Sequence, residues 1–279
     1  MSADPRQELA EFLRTRRTRL RPADVGFEPG PRRRVPGLRR EELALLAGVS
    51  TDYYQRMEQA REVNPSPEVL DSLARALRFS AEESRHLHTL AMAARRPARV
   101  APHRTPEAVP QTTLRLLETL PDPALVVSTH LDLLAWNPLA GALLGDFAAL
   151  PRRRRNLLAV FLSPQADRTC PDRAATVAEL TGMLRRSVAA DPGHPRALEL
   201  LTDLRTSAPE FPALWARHDV GETTRGRMRI DHPTVGELTL DWDAYPLPGA
   251  PGPMLLICTA EQHSSNEKRL RELAESTCG

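Results

Sequence analysis

The sequence predicts a two-domain protein, with an all-α N-terminal domain of five helices and an α+β C-terminal domain built on a five-stranded antiparallel sheet. Its 279 residues are enough for two hydrophobic cores. Apolar residues recur at helical spacing in the first 95 residues and alternate in the last third. A stretch with three prolines and no apolar periodicity separates these regions. We therefore expect domains at 1–95 and 113–279, joined by a Pro-rich linker at 96–112.

The N-terminal helices are predicted from apolar spacing and from start signals. The first helix has an apolar face and an arginine face, formed by Leu9, Phe12, Leu13 and Leu20 against Arg14, Arg17 and Arg21. The second runs from about Arg39 to Ala47, and its apolar face consists of Leu43, Leu46 and Ala47. Ser66-Pro67 begins the fourth helix, because Ser caps a helix and Pro suits its first position. Ser80 and Glu83 form a capping box for the fifth.

A short turn joins the second helix to the third. Gly48 suits the left-handed position that ends a helix. Ser50 suits the N-cap of a third helix over about Thr51 to Gln59. Two helices joined by three residues that include glycine form the helix-turn-helix pattern. Tyr54 and Met57, three residues apart, are expected to face the core.

The remaining residues of the third helix point outward and carry the chemistry that reads DNA. Gln pairs with adenine, Arg pairs with guanine, and Thr and Tyr reach phosphates or a thymine methyl group. The candidate DNA-binding residues here are Ser50, Thr51, Asp52, Tyr53, Gln55 and Arg56. The alternative interpretation is an ordinary solvent-facing helix surface.

The charge is distributed unevenly, although the formal net charge is only +2. Residues 1–110 hold 20 arginines against 15 acidic residues, and the remainder has a net charge of −3. A basic N-terminal unit is typical of a nucleic-acid-binding module, but a solvated arginine-rich face would have the same composition. Within it, Arg32, Arg33 and Arg34 form a basic arm that would contact phosphates, or else a soluble loop. Arg39 and Arg40 are further candidate phosphate contacts.

The C-terminal region alternates strand and helix signals. Two strands, Ala124 to Ser128 and Leu131 to Trp136, precede a short helix begun by Asn137-Pro138. Helices follow over about 172–190 and 195–207, with a further turn at 212–217. Three alternating segments near 228–230, 235–240 and 254–258 then predict three antiparallel strands. We expect a five-stranded sheet with helices on one face and a polar tail after the last strand.

The N-terminal motifs resemble the helix-turn-helix of the XRE family, a lambda-repressor-like fold, and more narrowly the MmyB-like regulators. The matching motifs are 37–44, 47–50, 52–54, 56–59 and 64–67. Family members usually have Gly where this chain has Ala60. The C-terminal motifs, at 133–137, 155–157, 207–211, 214–220 and 232–238, resemble the MmyB-like ligand-binding domain, which is PAS-like. The resemblance covers roughly residues 5–262.

This resemblance implies an apolar cavity for a fatty-acid-like or other hydrophobic small molecule. Aromatic side chains that could line it could equally form the ordinary core. A ligand carboxylate would want a cation or a donor at the mouth of the cavity. The candidate ligand-binding residues are Trp136, Phe161, Phe211 and Trp215, with Arg155, Asn156 and His218 as polar candidates.

We expect a cytoplasmic, non-enzymatic regulator that binds double-stranded DNA as a homodimer, requires no cofactor or metal, and does not insert in a membrane. No nucleotide-binding, hydrolase or metalloprotease motif occurs in the sequence. The only lysine, Lys268, leaves no Ser–Lys pair for self-cleavage in the core sequence. Two alternatives remain: a C-terminal domain that only dimerises or recruits a partner, and an enzyme fused to a DNA-binding domain. A redox switch at Cys170 or Cys258 is a third possibility, although Cys258 is expected to be buried.

Overall fold

The computed structural model describes residues 4–27, 37–61, 64–95, 108–221, 224–248 and 252–277. Most of the predicted linker and the triplet Arg32 to Arg34 lie outside these residues. Contacts divide the chain into two compact units, which we describe separately. Unit 1 comprises Met1–Ala101, Arg185–Leu201 and Ala213–Gly221. Unit 2 comprises Pro102–Leu184, Thr202–Pro212 and Glu222–Gly279.

The five predicted N-terminal helices are all present in unit 1. They are α1 (Pro5–Arg19), α2 (Arg40–Ala47), α3 (Thr51–Glu58), α4 (Pro67–Ala76) and α5 (Ala81–Arg95). Ser66 caps α4, and Ser80 and Glu83 form the expected reciprocal pair at the start of α5. The glycines and prolines at 21–37 predict no regular element between the first two helices, and this prediction was wrong, because a 3₁₀ helix occupies Pro22–Val25. Pro22 suits its first turn, and Gly26 ends it with a φ of 83°.

The helices of unit 1 enclose one hydrophobic core. Its fully buried members include Phe12, Leu13, Leu38, Leu43, Tyr54, Leu73 and Leu87. Two facing assignments were wrong: Arg17 is buried, whereas Leu46 is 39% exposed. Arg17 follows Leu9 and Leu13 at four-residue intervals, so it continues the inward stripe of α1. Ala189, from the second half of the chain, belongs to the same core.

The C-terminal half contains eight helices and five strands among the described residues. The helices are α6 (Gln111–Thr119), α7 (Pro138–Leu144), α8 (Leu157–Phe161), α9 (Pro164–Thr169), α10 (Arg173–Ala190), α11 (Pro195–Ser207), α12 (Phe211–Ala216) and α13 (Ser265–Thr277). The strands are β1 (Ala124–Val127), β2 (Leu133–Trp136), β3 (Arg225–His232), β4 (Gly236–Pro246) and β5 (Met254–Thr259). A further 3₁₀ helix covers Arg152–Arg154. None of the helices in the described ranges is both long enough and apolar enough to cross a membrane.

The predicted five-stranded antiparallel sheet forms in unit 2, with the order β2-β1-β5-β4-β3. All four residues of β1 are buried, and alternate residues of a strand face opposite sides of a sheet. Leu117 of α6 packs with Ala124 and Val126 on one side, and the two residues of β1 that face the other side are buried as well. The expected polar tail was wrong, because α13 buries Leu270 and Leu273.

Candidate nucleic-acid interface

The turn between α2 and α3 has the geometry that its residues require. Gly48 ends α2 with a φ of 67°, where a side chain would be strained. The N–H of Val49 donates to the carbonyl of Ala44 at 3.0 Å, which continues the end of α2. Ser50 then caps α3, because its hydroxyl oxygen accepts from the N–H of Tyr53 at 3.1 Å. The direction of α3 relative to α2 is therefore set by backbone-directed bonds.

The two faces of α3 separate as the sequence predicts. Tyr54 and Met57 are buried in the core of unit 1, with Val49 packed against it. Ser50, Thr51, Asp52 and Arg56 are exposed, and Tyr53 and Gln55 are half-buried. The half-buried ring of Tyr53 packs on the core, which raises the pKa of its hydroxyl. Four side chains with hydrogen-bonding groups thus lie at the surface around the start and middle of α3.

A buried carboxylate anchors the end of α3 to the rest of unit 1. Arg17 of α1 donates to both oxygens of Glu58, at 2.6 and 3.2 Å, and the hydroxyl of Tyr54 donates at 2.7 Å. Arg40 of α2 donates its Nε–H to the same carboxylate at 2.7 Å. Burial alone would raise the pKa of Glu58, but the hydrogen bonds from these three residues outweigh it and lower the pKa. Sequence reasoning missed this cluster, although Arg17 and Glu58 each lie four residues after a buried residue on their helix.

The candidate phosphate contacts lie at the start of α2. Arg39 is exposed, and its N–H donates to the carboxylate of Glu42 at 2.7 Å. The side chain of Arg40 is 43% exposed even though it pairs with Glu58. Gly37 lets this segment approach α1, because a Cβ at this position would lie 2.1 Å from the carbonyl oxygen of Thr18. Arg39, Arg40 and the start of α3 belong to one helix pair, so the structure brings these predicted residues together.

Five of the seven candidate ligand-binding residues lie in unit 2. Trp136 is half-buried and packs edge-on against Phe147, with the guanidinium of Arg155 5.8 Å from its ring. Arg155 donates to the carbonyls of Leu150 and Ala148, at 3.0 and 2.8 Å. Phe161 and Phe211 are buried in the interior, 4% and 0% exposed.

Asn156 is fully buried, and its side chain makes hydrogen bonds within unit 2. It caps α8 by accepting from the N–H of Ala159 at 3.3 Å. Its amide group donates to the carbonyl of His130 at 2.9 Å and to Asp132 at 3.1 Å. These bonds fasten the chain before α8 to the turn between β1 and β2.

Trp215 and His218 belong to unit 1, in the segment Ala213–Gly221. The guanidinium carbon of Arg185 lies over the ring of Trp215, 4.1 Å from the ring centroid. His218 is 3% exposed and has a φ of 51°. Burial, together with the nearby charge of Arg185, lowers the pKa of His218 to about 3. The assignment of these seven residues to ligand binding stays a prediction.

Two aspartates of the β3–β4 hairpin have arginine partners. Asp241 pairs with Arg227 at 2.7 Å and Asp243 with Arg225 at 3.5 Å, across the β3–β4 hairpin. Cys170 and Cys258 are buried, and burial raises both thiol pKa values, that of Cys258 to about 12. Within the described ranges, no group of three or more His, Cys, Asp or Glu residues could hold a metal ion.

A capped helix that follows a three-residue turn, with hydrogen-bonding side chains exposed beside arginines, defines a helix-turn-helix DNA-binding domain. Comparison with known families agrees, since residues 8–87 match a helix-turn-helix domain. Residues 109–273, more than half of the chain, match the MmyB-like transcription regulator ligand binding domain. The chain therefore belongs to the MmyB-like transcription regulators. No curated protein matches it.

Proposed function

We propose that the protein is a sequence-specific regulator that inserts α3 into the major groove and changes its DNA affinity when the C-terminal domain binds a hydrophobic, fatty-acid-like molecule. The capped α3, with Thr51, Asp52 and Arg56 exposed at its surface, is the observation that carries the DNA-binding part. The family match at residues 109–273 supports the ligand-binding part. A DNA target would place the protein in the cytoplasm.

In this proposal the residues divide into readers and phosphate contacts. Gln55 and Arg56 are the best readers, because their side chains form bidentate pairs with adenine and guanine. Arg39 and Arg40 lie at the start of α2, where exposed guanidinium groups suit the phosphate backbone. Arg32 to Arg34 would extend that contact as a basic arm. Within the N-terminal domain this arrangement corresponds to the XRE-type, lambda-repressor-like class.

The DNA-binding part is tested first at Arg56. We expect Arg56→Ala to weaken binding to a duplex selected from a randomised library by the wild-type protein, by about tenfold to a hundredfold. If Arg56 also neutralises a phosphate, the slope of log affinity against log salt falls by about one. Fluorescence anisotropy at two salt concentrations measures both quantities. Binding that is unchanged at both concentrations would contradict the assignment.

Gln55→Ala serves as the matched variant on the same helix. It removes a base-reading amide without removing a charge, so the salt slope is expected to stay at the wild-type value. The sequence preference in a repeated selection is expected to relax at one position. An unaltered preference would remove Gln55 from the set of readers.

For the C-terminal domain we propose a PAS-like sensor. Two strands and, after the intervening helices, three further strands form its antiparallel sheet, and α6 packs on β1. Trp136, Phe161 and Phe211 supply aromatic surface in unit 2, and Arg155 is the cation nearest to Trp136 in that group. A hydrophobic ligand with a carboxylate suits apolar walls with one cation at the edge.

Native mass spectrometry of the purified full chain tests this part, with tetradecanoic acid as the added probe. We expect one molecule retained per chain and a homodimer as the main species. A dimer that retains no small molecule and takes up no acid would favour the alternative, in which the C-terminal domain only dimerises or recruits a partner.

A further inference from the structure

Unit 1 contains an arginine that is almost completely buried. Arg185 of α10 is 2% exposed and lies among residues from two other segments. Its Nη1 donates to the carboxylate of Glu8 on α1 at 3.2 Å and lies 3.0 Å from Nδ1 of His218. Its Nη2 donates to the carbonyl of Trp215, and the guanidinium stacks on the ring of the same residue. One side chain therefore joins α1, α10 and the segment 213–221.

Two arginines of α1 also form hydrogen bonds with the segment 213–221. Arg16 donates to the carbonyl of His218 at 3.0 Å. Arg19 donates to Asp219 at 2.7 Å and to the carbonyl of Arg217 at 2.6 Å. We call Glu8, Arg16, Arg19, Arg185 and His218 the α1 latch. A cavity of about 10 Å³ adjoins it, lined partly by His86, Arg185 and Trp215.

A buried arginine is a costly way to hold two helices together. Burial lowers the pKa of Arg185 to about 10, so the side chain remains charged at neutral pH. Well-packed apolar residues of similar volume usually serve stability as well or better. An ion pair that also makes several hydrogen bonds forms in only one arrangement of α10 and α1. Its bonds therefore change when α10 shifts relative to α1.

The latch has a direct route to the DNA-reading helix. Glu8 and Arg17 lie on the same helix, α1, and Arg17 holds Glu58 at the end of α3. At the other end, α10 contributes residues 173–184 to unit 2 and 185–190 to unit 1. Arg185 is thus the first residue of α10 in unit 1. It lies within the sequence matched by the ligand-binding family, and Glu8 is the first residue matched by the helix-turn-helix family.

We propose that Arg185 is the positioning residue that couples the state of unit 2 to DNA affinity. A shift of α10 in unit 2 changes the bonds of Arg185 to Glu8 and His218, and α1 transmits the change to α3 through Arg17 and Glu58. Thr51, Asp52 and Arg56 take no part in the latch. The inference rests on the proposed function for the role of α3 in reading DNA and for a ligand as the natural cause of the shift.

The decisive experiment needs no ligand. Leu180→Ala opens a cavity on the unit 2 part of α10, where Leu180 is 4% exposed. In the wild-type background we expect it to change amide hydrogen exchange in α1 and the affinity for the selected duplex, each by about tenfold. In the Arg185→Met background both changes should fall below about twofold. Equal changes in both backgrounds, or none in either, would overturn the proposal.

Two further variants protect this cycle against a folding artefact. Glu8→Gln removes the carboxylate partner of Arg185 from α1. It should suppress the effect of Leu180→Ala as Arg185→Met does, and it takes the place of Arg185→Met if that variant does not fold. Arg196→Met is the matched control. It removes an arginine of the segment Arg185–Leu201 that forms an ion pair with Glu199, three residues along the same helix, at 3.0 Å. The effect of Leu180→Ala should persist in that control, and its loss there would count against a specific role for Arg185.

A second experiment, with added ligand, distinguishes failure of this proposal from failure of the proposed function. If tetradecanoic acid shifts the DNA affinity of the wild type, Arg185→Met should still take up the acid but lose about two thirds of the shift. Full retention of the shift would overturn the coupling and leave the sensor intact. If the acid does not bind, the ligand class is wrong, and the Leu180→Ala cycle still decides the role of Arg185.

Discussion

Ala60 carries backbone strain just after α3. Its φ is 54°, in the left-handed region that glycine adopts freely and alanine does not. Members of the family that the sequence resembles usually have Gly at this position, and glycine adopts this angle without strain. The end of α3 keeps its geometry, because the N–H of Arg61 donates to the carbonyl of Arg56 at 3.1 Å.

We therefore expect Ala60→Gly to stabilise the protein by about 1 kcal/mol, because glycine removes the left-handed penalty at that site. The urea midpoint followed by circular dichroism measures the change. Ala93→Gly, inside α5, is the matched control and should destabilise by about the same amount, since the backbone there is helical. A loss of stability in Ala60→Gly would show that the left-handed backbone carries no cost.

His86 makes stability depend on pH. Burial lowers its pKa to about 3, with Arg185 the next cause, so the folded protein keeps the ring neutral where the unfolded chain protonates it. The unfolded state then binds more protons between pH 6.5 and 3, and stability falls as the pH falls through that window. We expect His86→Leu to flatten the fall by at most about 1.4 kcal/mol per pH unit.

Urea unfolding of the full chain at pH 7, 6 and 5 measures this slope. Phe12→Leu is the control, because Phe12 contacts His86 edge-on at 5.1 Å between ring centroids but does not titrate. That variant should lose stability equally at each pH. The idea fails if His86→Leu keeps the wild-type slope.

Single residues also show where sequence reasoning reaches its limit. The inward positions Tyr54 and Met57 of α3 were predicted correctly, because they follow a clear apolar spacing, whereas Tyr53, predicted outward, packs partly on the core. Arg17 was assigned outward because it is charged. Its burial depends on Glu58, 41 residues away, and such a partner cannot be read from local spacing.

At the scale of elements, the buried carboxylate ties three helices together. Glu58→Gln leaves Arg17 unpaired inside the core and weakens the bond from Arg40, so we expect a loss of about 3–5 kcal/mol at neutral pH. The folded pKa of Glu58 lies below its ordinary value of 4.5. The difference between variant and wild type should therefore persist above about pH 5 and shrink as the pH falls through the folded pKa.

Chemical unfolding at pH 7 and at pH 3.5 tests this expectation. Glu41→Gln is the matched control, because Glu41 is 61% exposed and lies 3.8 Å from Arg39, so it should be nearly neutral. An equally small effect from Glu58→Gln would mean that the cluster does not hold α3.

Two helices that the sequence analysis did not predict, α9 and α13, begin with the same kinds of start signal that predicted other helices. Ser264 and Glu267 begin α13 with the spacing recognised at Ser80, and the hydroxyl oxygen of Ser264 accepts from the N–H of Glu267 at 3.1 Å. Ser163-Pro164 begins α9 as Ser66-Pro67 begins α4. Their apolar content is low, so periodicity alone did not reveal them. Such short or polar helices are stabilised by packing on the sheet, which local sequence does not encode.

At the scale of the whole molecule, the composition predicted two functional regions but not their contacts. The charge difference between the halves and the family motifs predicted a DNA-binding part and a ligand-binding part. They did not predict that Arg185–Leu201 and Ala213–Gly221 would belong to unit 1. The ion pair between Glu8 and Arg185 joins residues 177 positions apart. Contacts of that separation are set by tertiary packing, which local sequence patterns do not reveal.

One α3 presents too few exposed side chains to select a site alone, and this argues for the homodimer. A helix of eight residues reaches only a few base pairs, so useful specificity needs two copies on one duplex. We expect two half-sites about one helical turn, about 34 Å, apart or a multiple of it. Native mass spectrometry of the complex should show two chains per duplex. Adding about five base pairs between half-sites moves them to opposite faces of the duplex and should weaken binding at least about tenfold, whereas adding about ten should restore most of it. Full affinity at a ratio of one chain per duplex, with no dependence on spacing, would show that a single α3 suffices.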